Sequence, residues 1–268
     1  MSESQKNQIE GSILQEFDVE GRPAAIVSLK GSDADTFEND LKEHAHNLAV
    51  NQESEETPHS GIKGVFQNLG SRFRKVLGKS INKDRSNVTK RIEHITESRK
   101  QHFQKMIREA SDNKGHETEL LGIYLDGKIV SVIGVKKMEQ LPRSGRQIFE
   151  FTSGSTLREQ EDGTPKYLKK GFSKTLRKTL YEKKMKEDPD AVWMSDSKNP
   201  ILIGNDKVTP PIEGSWARWG WNITDIDDPN SEFTAIFRER NAEHLDTVYR
   251  AKGYKLATFD PKVDTLRW

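Results

Sequence analysis

Lysines beside a glycine where a helical stretch begins are suited to holding an anion, and the run from Lys166 to Leu180, KYLKKGFSKTLRKTL, has that form. Backbone N–H groups at a helix start are unpaired and point the same way, and the helix dipole adds positive potential. Gly171 and Ser173 are small enough to let a phosphate oxygen approach the backbone, and Lys169 and Lys170 add charge. On its own the pattern also describes a solvated helix start. A second constellation lies further on. The segment at about 197–229 holds Trp216, Trp219 and Trp221, follows Trp193, and ends in Asp225, Asp227 and Asp228. Aromatic faces with carboxylates suit a pocket for a cationic amine; closure of a satellite core over a sheet is the other reading of the tryptophans. The histidines His44, His46, His94, His102 and His116 are scattered through polar stretches, so no metal site is expected from them.

These residues need elements to hold them. Ile13 to Phe17 and Ala24 to Leu29 read as strands around the turn Glu20-Gly21-Arg22-Pro23. Asp33 to Val50 reads as a helix with Phe37, Leu41, Ala45 and Leu48 on one face. Residues 61–79 and 86–110 read as two amphipathic helices with basic outer faces. Glu119 to Leu125 and Lys128 to Lys136 form a hairpin at Asp126-Gly127, a two-residue turn signal. Arg146 to Thr152 is a further strand, and 153–165 a polar loop. Gly171 to Lys186 is helical, and Ala191 to Ser195 is a buried strand. Phe233 to Phe237 reads as a strand. Asn241 to Ala251 reads as a helix with Asn241 as N-cap and Gly253 past its end. Tyr254 to Phe259 is a last strand. The order predicts an α/β fold, a mixed and mainly antiparallel sheet flanked by helices. Residues 1–115 would contribute strands and basic helices, and 116–268 the main core with the tryptophan-bearing insertion.

Composition narrows the function classes. The 268 residues are 32% hydrophobic and 32% charged, with no cysteine. Disulfides, thiolate zinc sites and a cysteine nucleophile are therefore excluded. No stretch approaches the roughly eighteen apolar residues of a membrane span, and the first residues lack the form of a secretory signal. A cytoplasmic enzyme fits, and so does an effector exported unfolded. Residues 1–60 carry 13 acidic and 4 basic side chains, whereas residues 61–108 carry 13 basic and 3 acidic. Such asymmetry fits an anionic partner surface for 61–108, and equally two regions that face each other or water.

Taken in order, these motifs resemble the GNAT-type N-acyltransferases, which use acetyl- or acyl-coenzyme A and usually modify an amine. In that family the fourth strand leads into a turn Arg/Gln-x-x-Gly-x-Gly/Ala that holds the coenzyme pyrophosphate. The matching positions here are Leu168, Lys169, Lys170, Gly171, Phe172 and Ser173; Leu168 stands where Arg or Gln is usual. The segment from Asn241 through Tyr249 to Gly253-Tyr254 is similar to the family's Asn, then Tyr one helix later, then Gly-aromatic opening the last strand. The resemblance implies coenzyme contacts from Lys169 to Ser173, from Asn241, and from the strand carrying Phe151 and Thr152, whose backbone N–H groups would polarise the thioester carbonyl. It implies Tyr249 as the acid that protonates the leaving thiolate. Glu150, in the apolar run Ile148-Phe149-Glu150-Phe151, is the candidate base, with burial raising its pKa, and His244 is a fallback. Acetyl-CoA or another acyl-CoA would be the co-substrate, with no metal, and the acceptor an amine of a protein or small molecule. Trp193, Asp225, Asp227 and Asp228 are the candidate acceptor contacts. A non-catalytic relative that binds a membrane or another anionic partner through 61–108 is the alternative.

Overall fold

The computed structural model describes residues 9, 12–56, 73–110, 118–157, 167, 170–197, 216–250 and 254–267. Lys169, Leu168, Gly253 and the proposed helix start at 61–72 lie outside the described residues. The strands are β1 Ile13–Val19, β2 Arg22–Leu29, β3 Thr118–Leu125, β4 Lys128–Gln140, β5 Gln147–Thr156, β6 Val192–Ser197, β7 Asn222–Asp225 and β8 Lys255–Phe259. The longer helices are α1 Glu38–Glu56, α2 Phe73–Glu109, α3 Phe172–Glu187 and α4 Glu232–Arg240. The eight strands of the described residues join one sheet in the order β1-β2-β3-β4-β5-β6-β8-β7. Neighbours are antiparallel except β5 and β6, which run parallel. The mixed, mostly antiparallel sheet with flanking helices is the fold class read from the sequence. Strands from either side of residue 115 share it, since β2 pairs with β3 from Ala24↔Leu125 to Leu29↔Leu120.

Side-chain alternation along the strands builds one core on each face. On one face α3 sets Phe172, Leu176 and Leu180 against the sheet residues Ile123, Val135, Phe149, Phe151 and Trp193. On the other, Phe37, Leu41 and Ala45 from the α1 region meet Phe103, Met106 and Ile107 of α2 over Val27, Leu120 and Val132. The same face continues past β5 as a cluster of Ile148, Val192, Met194 and Leu256 with Ile236 and Phe237 of α4. The hairpin turn at Asp126-Gly127 has the two-residue form the sequence suggested; the turn expected over Glu20 to Pro23 is shorter than that, because β2 already begins at Arg22, and Glu20-Gly21 and Asp126-Gly127 are all at positive φ. Such turns match the twist of the strands they join.

Three elements differ from the sequence expectation. Phe233 to Phe237 is not a strand but the body of α4. Ser231 caps it, its hydroxyl accepting from the Thr234 N–H at 3.4 Å, and the buried residues Thr234 and Phe237 follow helical spacing. The cap outweighs the strand-like run of apolar residues. The two basic helices are one at this point: α2 runs unbroken from Phe73 to Glu109, because the polar stretch at 80–85 contains neither Gly nor Pro to stop it. Residues 241–251 do not form a regular helix; a 3-10 turn Ala242–His244 leads into a π-helical turn Leu245–Arg250. Strand β5 also runs on to Thr156, beyond the expected start of the polar loop.

Candidate functional site

The parallel pair is the feature around which the sequence-derived residues gather. β5 and β6 pair at Ile148↔Val192, Phe149↔Trp193 and Glu150↔Met194. Beyond that point β5 stays on β4 as far as Ser131↔Thr156, while β6 stays on β8 as far as Ser197↔Lys255. The two strands therefore part after Glu150 and Met194, leaving a wedge between them. A local cause lies in β4–β5. Ile133 faces Gly154 and Val135 faces Phe151, so Thr152 and Ser153 together oppose Gly134. An extra residue of this kind bends its strand and increases its twist. Gly134 lets the bend form, because a Cβ there would collide with Thr152 Oγ1 and Met106 Cε. Thr152 Oγ1 is buried and has no hydrogen-bond partner among the described residues.

Helix α3 begins at the end of the sheet toward which the wedge widens. Its N-cap, Gly171, is left-handed at φ 78°, and no side chain caps the helix. The first helical bond runs from the Thr175 N–H to the Gly171 carbonyl at 2.9 Å. The N–H groups of Phe172, Ser173 and Lys174 thus precede the intrahelical ladder. Phe172 anchors the turn in the core beside Leu157 and Tyr167. Lys170 does not stand free at this turn; its ammonium donates to the Glu20 carboxylate in the β1–β2 turn, which draws the Glu20 pKa down. A group the sequence reading missed is Arg177, one turn into α3. Its guanidinium donates to Ser173 Oγ and lies 5.2 Å and 5.5 Å from the ring centres of Trp216 and Trp219. Burial lowers its pKa to about 10, and its Nε is buried without a partner among the described residues. The only hint in the sequence was its place four residues after Ser173.

The α3 face of the wedge is aromatic. Phe151 contacts Trp193, Trp216 and Trp221 with ring centres 4.9–5.9 Å apart, and Trp216 meets Trp221 at 4.4 Å. Trp193 is fully buried, with its Nε1–H directed to Met185 Sδ at 3.4 Å. The tryptophans therefore close a core, as the second reading of that segment had it. The acidic residues have partners too: Asp227 pairs with Arg250 at 2.5 Å, Asp225 with Lys255 at 3.6 Å, and Asp228 accepts from the Asn230 N–H at 2.9 Å.

Glu150 and Tyr249 fall on the opposite face, both beside α4. Glu150 occupies the last paired position before the strands part, and its Oε2 accepts from Arg240 Nη1 at 3.2 Å. Tyr249 is half-buried, packed edge-to-face on Phe237 at 4.9 Å and on Tyr254 at 5.0 Å. Asn241 closes the end of α4, its side-chain amide donating to the Phe237 carbonyl at 2.8 Å, and does not act as a side-chain N-cap. His44 is not in a polar setting either; it is buried, and burial lowers its pKa to about 4. Among the described residues no group of three or more His, Asp or Glu could hold a metal ion, and no helix is long and apolar enough to cross a membrane.

Neither a family model nor a curated protein matches the sequence. Among solved structures, a ribosomal-protein-alanine N-acetyltransferase from Brucella melitensis biovar Abortus 2308 is similar at 18% identity and a TM-score of 0.25. The alignment covers 42% of this chain and 62% of that one, so the chain spans less than two thirds of that protein.

Proposed function

We propose that the protein transfers an acetyl or other acyl group from acyl-coenzyme A to an amine, in a ternary complex and by direct attack. The observation that carries this is the wedge between β5 and β6 with the uncapped start of α3 at its open end. The wedge offers the strand edge of β5 beyond Glu150 to a thioester carbonyl, and the amides of Phe172 and Ser173 suit pyrophosphate oxygens. Phosphate binding would rest on these backbone groups, with Arg177 holding Ser173 in place, since Lys170 is engaged by Glu20.

In the reaction the neutral amine nitrogen attacks the carbonyl carbon. The carbon–sulfur bond breaks as the new amide bond forms, the amine loses a proton, and the thiolate gains one. Glu150, at the vertex of the wedge, is the acceptor of the amine proton, directly or through water. Arg240 must then yield its hold on the carboxylate. Tyr249 is the donor to the thiolate. The acceptor is an amine of a protein or small molecule.

Acetyl-coenzyme A should raise the melting temperature of the full chain. At a free concentration about 100 times its dissociation constant, a ligand adds about 2.7 kcal/mol to stability. Gly171→Glu should abolish the shift by setting a carboxylate and a Cβ where the phosphates sit. No shift at millimolar acetyl-coenzyme A would remove the proposal.

A further inference from the structure

A cavity of about 550 Å³ lies at the end of α3 away from Gly171. The 16 residues of that helix separate it from Gly171 by about 24 Å. Its volume is of the size that takes a small molecule. Four buried polar side chains line it: Thr118, Glu119, Gln147 and Lys184. Polar groups withdrawn from water in one place are costly unless something pairs with them.

The internal pairing leaves positive charge over. Glu119 Oε2 lies 3.1 Å from Lys184 Nζ, and its Oε1 accepts from Lys183. Lys184 also reaches Glu187 at 2.8 Å. Burial, the largest single cause, would raise the Glu119 pKa and lower that of Lys184, but Lys184 with Lys183, and Glu119 with Glu187, together outweigh it, so Glu119 is held below and Lys184 above its ordinary value. The buried carboxylate is thus satisfied by two ammonium groups. Lys30, just past β2, and Lys137, on β4, line the same cavity; no carboxylate among the described residues forms an ion pair with either ammonium group, Asp33 accepting from the Lys30 backbone N–H at 2.8 Å. Asp188, the remaining acid of the lining, accepts from the Asp190 N–H at 3.2 Å. Phe149 and Ala110 give the wall an apolar patch.

We infer that this cavity binds a small dianion, a phosphate or a short dicarboxylate, held between the ammonium groups of Lys30 and Lys137 and remote from the acyl-transfer wedge. Two cations, one just past β2 and one on β4, match two anionic groups, or one doubly charged group, better than they match a single carboxylate. The apolar wall leaves room for a short hydrocarbon between the ends of a dicarboxylate.

Titration calorimetry and melting curves on the full chain test this, with potassium phosphate and with succinate, each against potassium chloride at equal ionic strength. Either dianion should raise the melting temperature at about 10 mM. The double variant Lys30→Gln/Lys137→Gln should weaken binding by about tenfold or more, because two charge-assisted hydrogen bonds are lost. Response to phosphate alone, to succinate alone or to both identifies the ligand chemistry. Absence of any response to either, or affinity unchanged in the double variant, overturns the inference. Gly171→Glu separates the two sites: phosphate binding that survives it belongs to this cavity, and phosphate binding lost with it belongs to the start of α3 and overturns the inference. Melting of the double variant without ligand confirms that it folds.

Discussion

His44 shows how one side chain reports its surroundings. Its Nε2 lies 3.1 Å from the Ile129 carbonyl, which only accepts, so the proton sits on Nε2. Burial, the dominant cause, lowers its pKa from 6.5 to about 4. The unfolded chain therefore takes up a proton as pH falls through 6.5, and the folded chain does not until about 4. Stability should fall by about 3 kcal/mol across that window. His44→Gln keeps a donor for Ile129 and should flatten this slope, read by denaturant melts at several pH values. Tyr249 belongs to the same scale. Tyr249→Phe keeps its packing against Phe237 and Tyr254 and should cut turnover by about a hundredfold while acetyl-coenzyme A binding stays. An unchanged rate takes Tyr249 out of the mechanism. The sequence revealed the types and order of Glu150, Gly171 and Tyr249. It did not reveal that Arg240 holds Glu150 or that Glu20 holds Lys170, because those pairs join residues 90 and 150 positions apart.

Elements with strong local signals were legible in advance. The hairpin at Asp126-Gly127 and the apolar stripe Phe37, Leu41, Ala45 stand where the pattern put them, because turn chemistry and periodicity act within a few residues. Segment 233–237 was not, since five apolar or β-branched residues in a row fit either element and only Ser231 distinguishes them. The bend in β5 was equally hidden, as it depends on Gly134 meeting Thr152 across strands. Gly134→Ala should cost about 1–3 kcal/mol through overpacking and should weaken acetyl-coenzyme A binding as the bend straightens. Loss of stability with unaltered coenzyme affinity would separate the bend from the wedge. The α3–β3 contact makes its own prediction. Glu119→Gln leaves Lys184 buried beside a neutral amide and should cost about 3 kcal/mol. The wild-type contribution is present above the ordinary Glu value of 4.5 and is lost as pH falls below it, since the folded pKa is lowered. Acid melts of the two proteins should therefore converge.

At the scale of the molecule, the stretch after β8 ties the tryptophan segment to the sheet. Arg146 bonds Asp260 through both terminal nitrogens at 2.5 Å and 2.8 Å. The Arg267 N–H donates to the Trp219 carbonyl at 2.9 Å, and Asn222 donates to Asp264 at 2.7 Å. Ending the chain at Phe259 should expose Trp216 and Trp219 and shift tryptophan emission to longer wavelength. Emission like that of the full chain would show the segment holds itself.

The sheet is five strands joined to three, and the joint is the short parallel contact of β5 with β6. Few backbone bonds cross it, fewer than along any antiparallel neighbour in the centre of the sheet. Backbone opening costs least where bonds are sparsest, so opening about this line should precede opening elsewhere in the centre of the sheet. Amide hydrogen exchange at residues 192–194 reads that motion directly. A ligand wedged between the halves would act as a clasp, slowing exchange on strands it never touches.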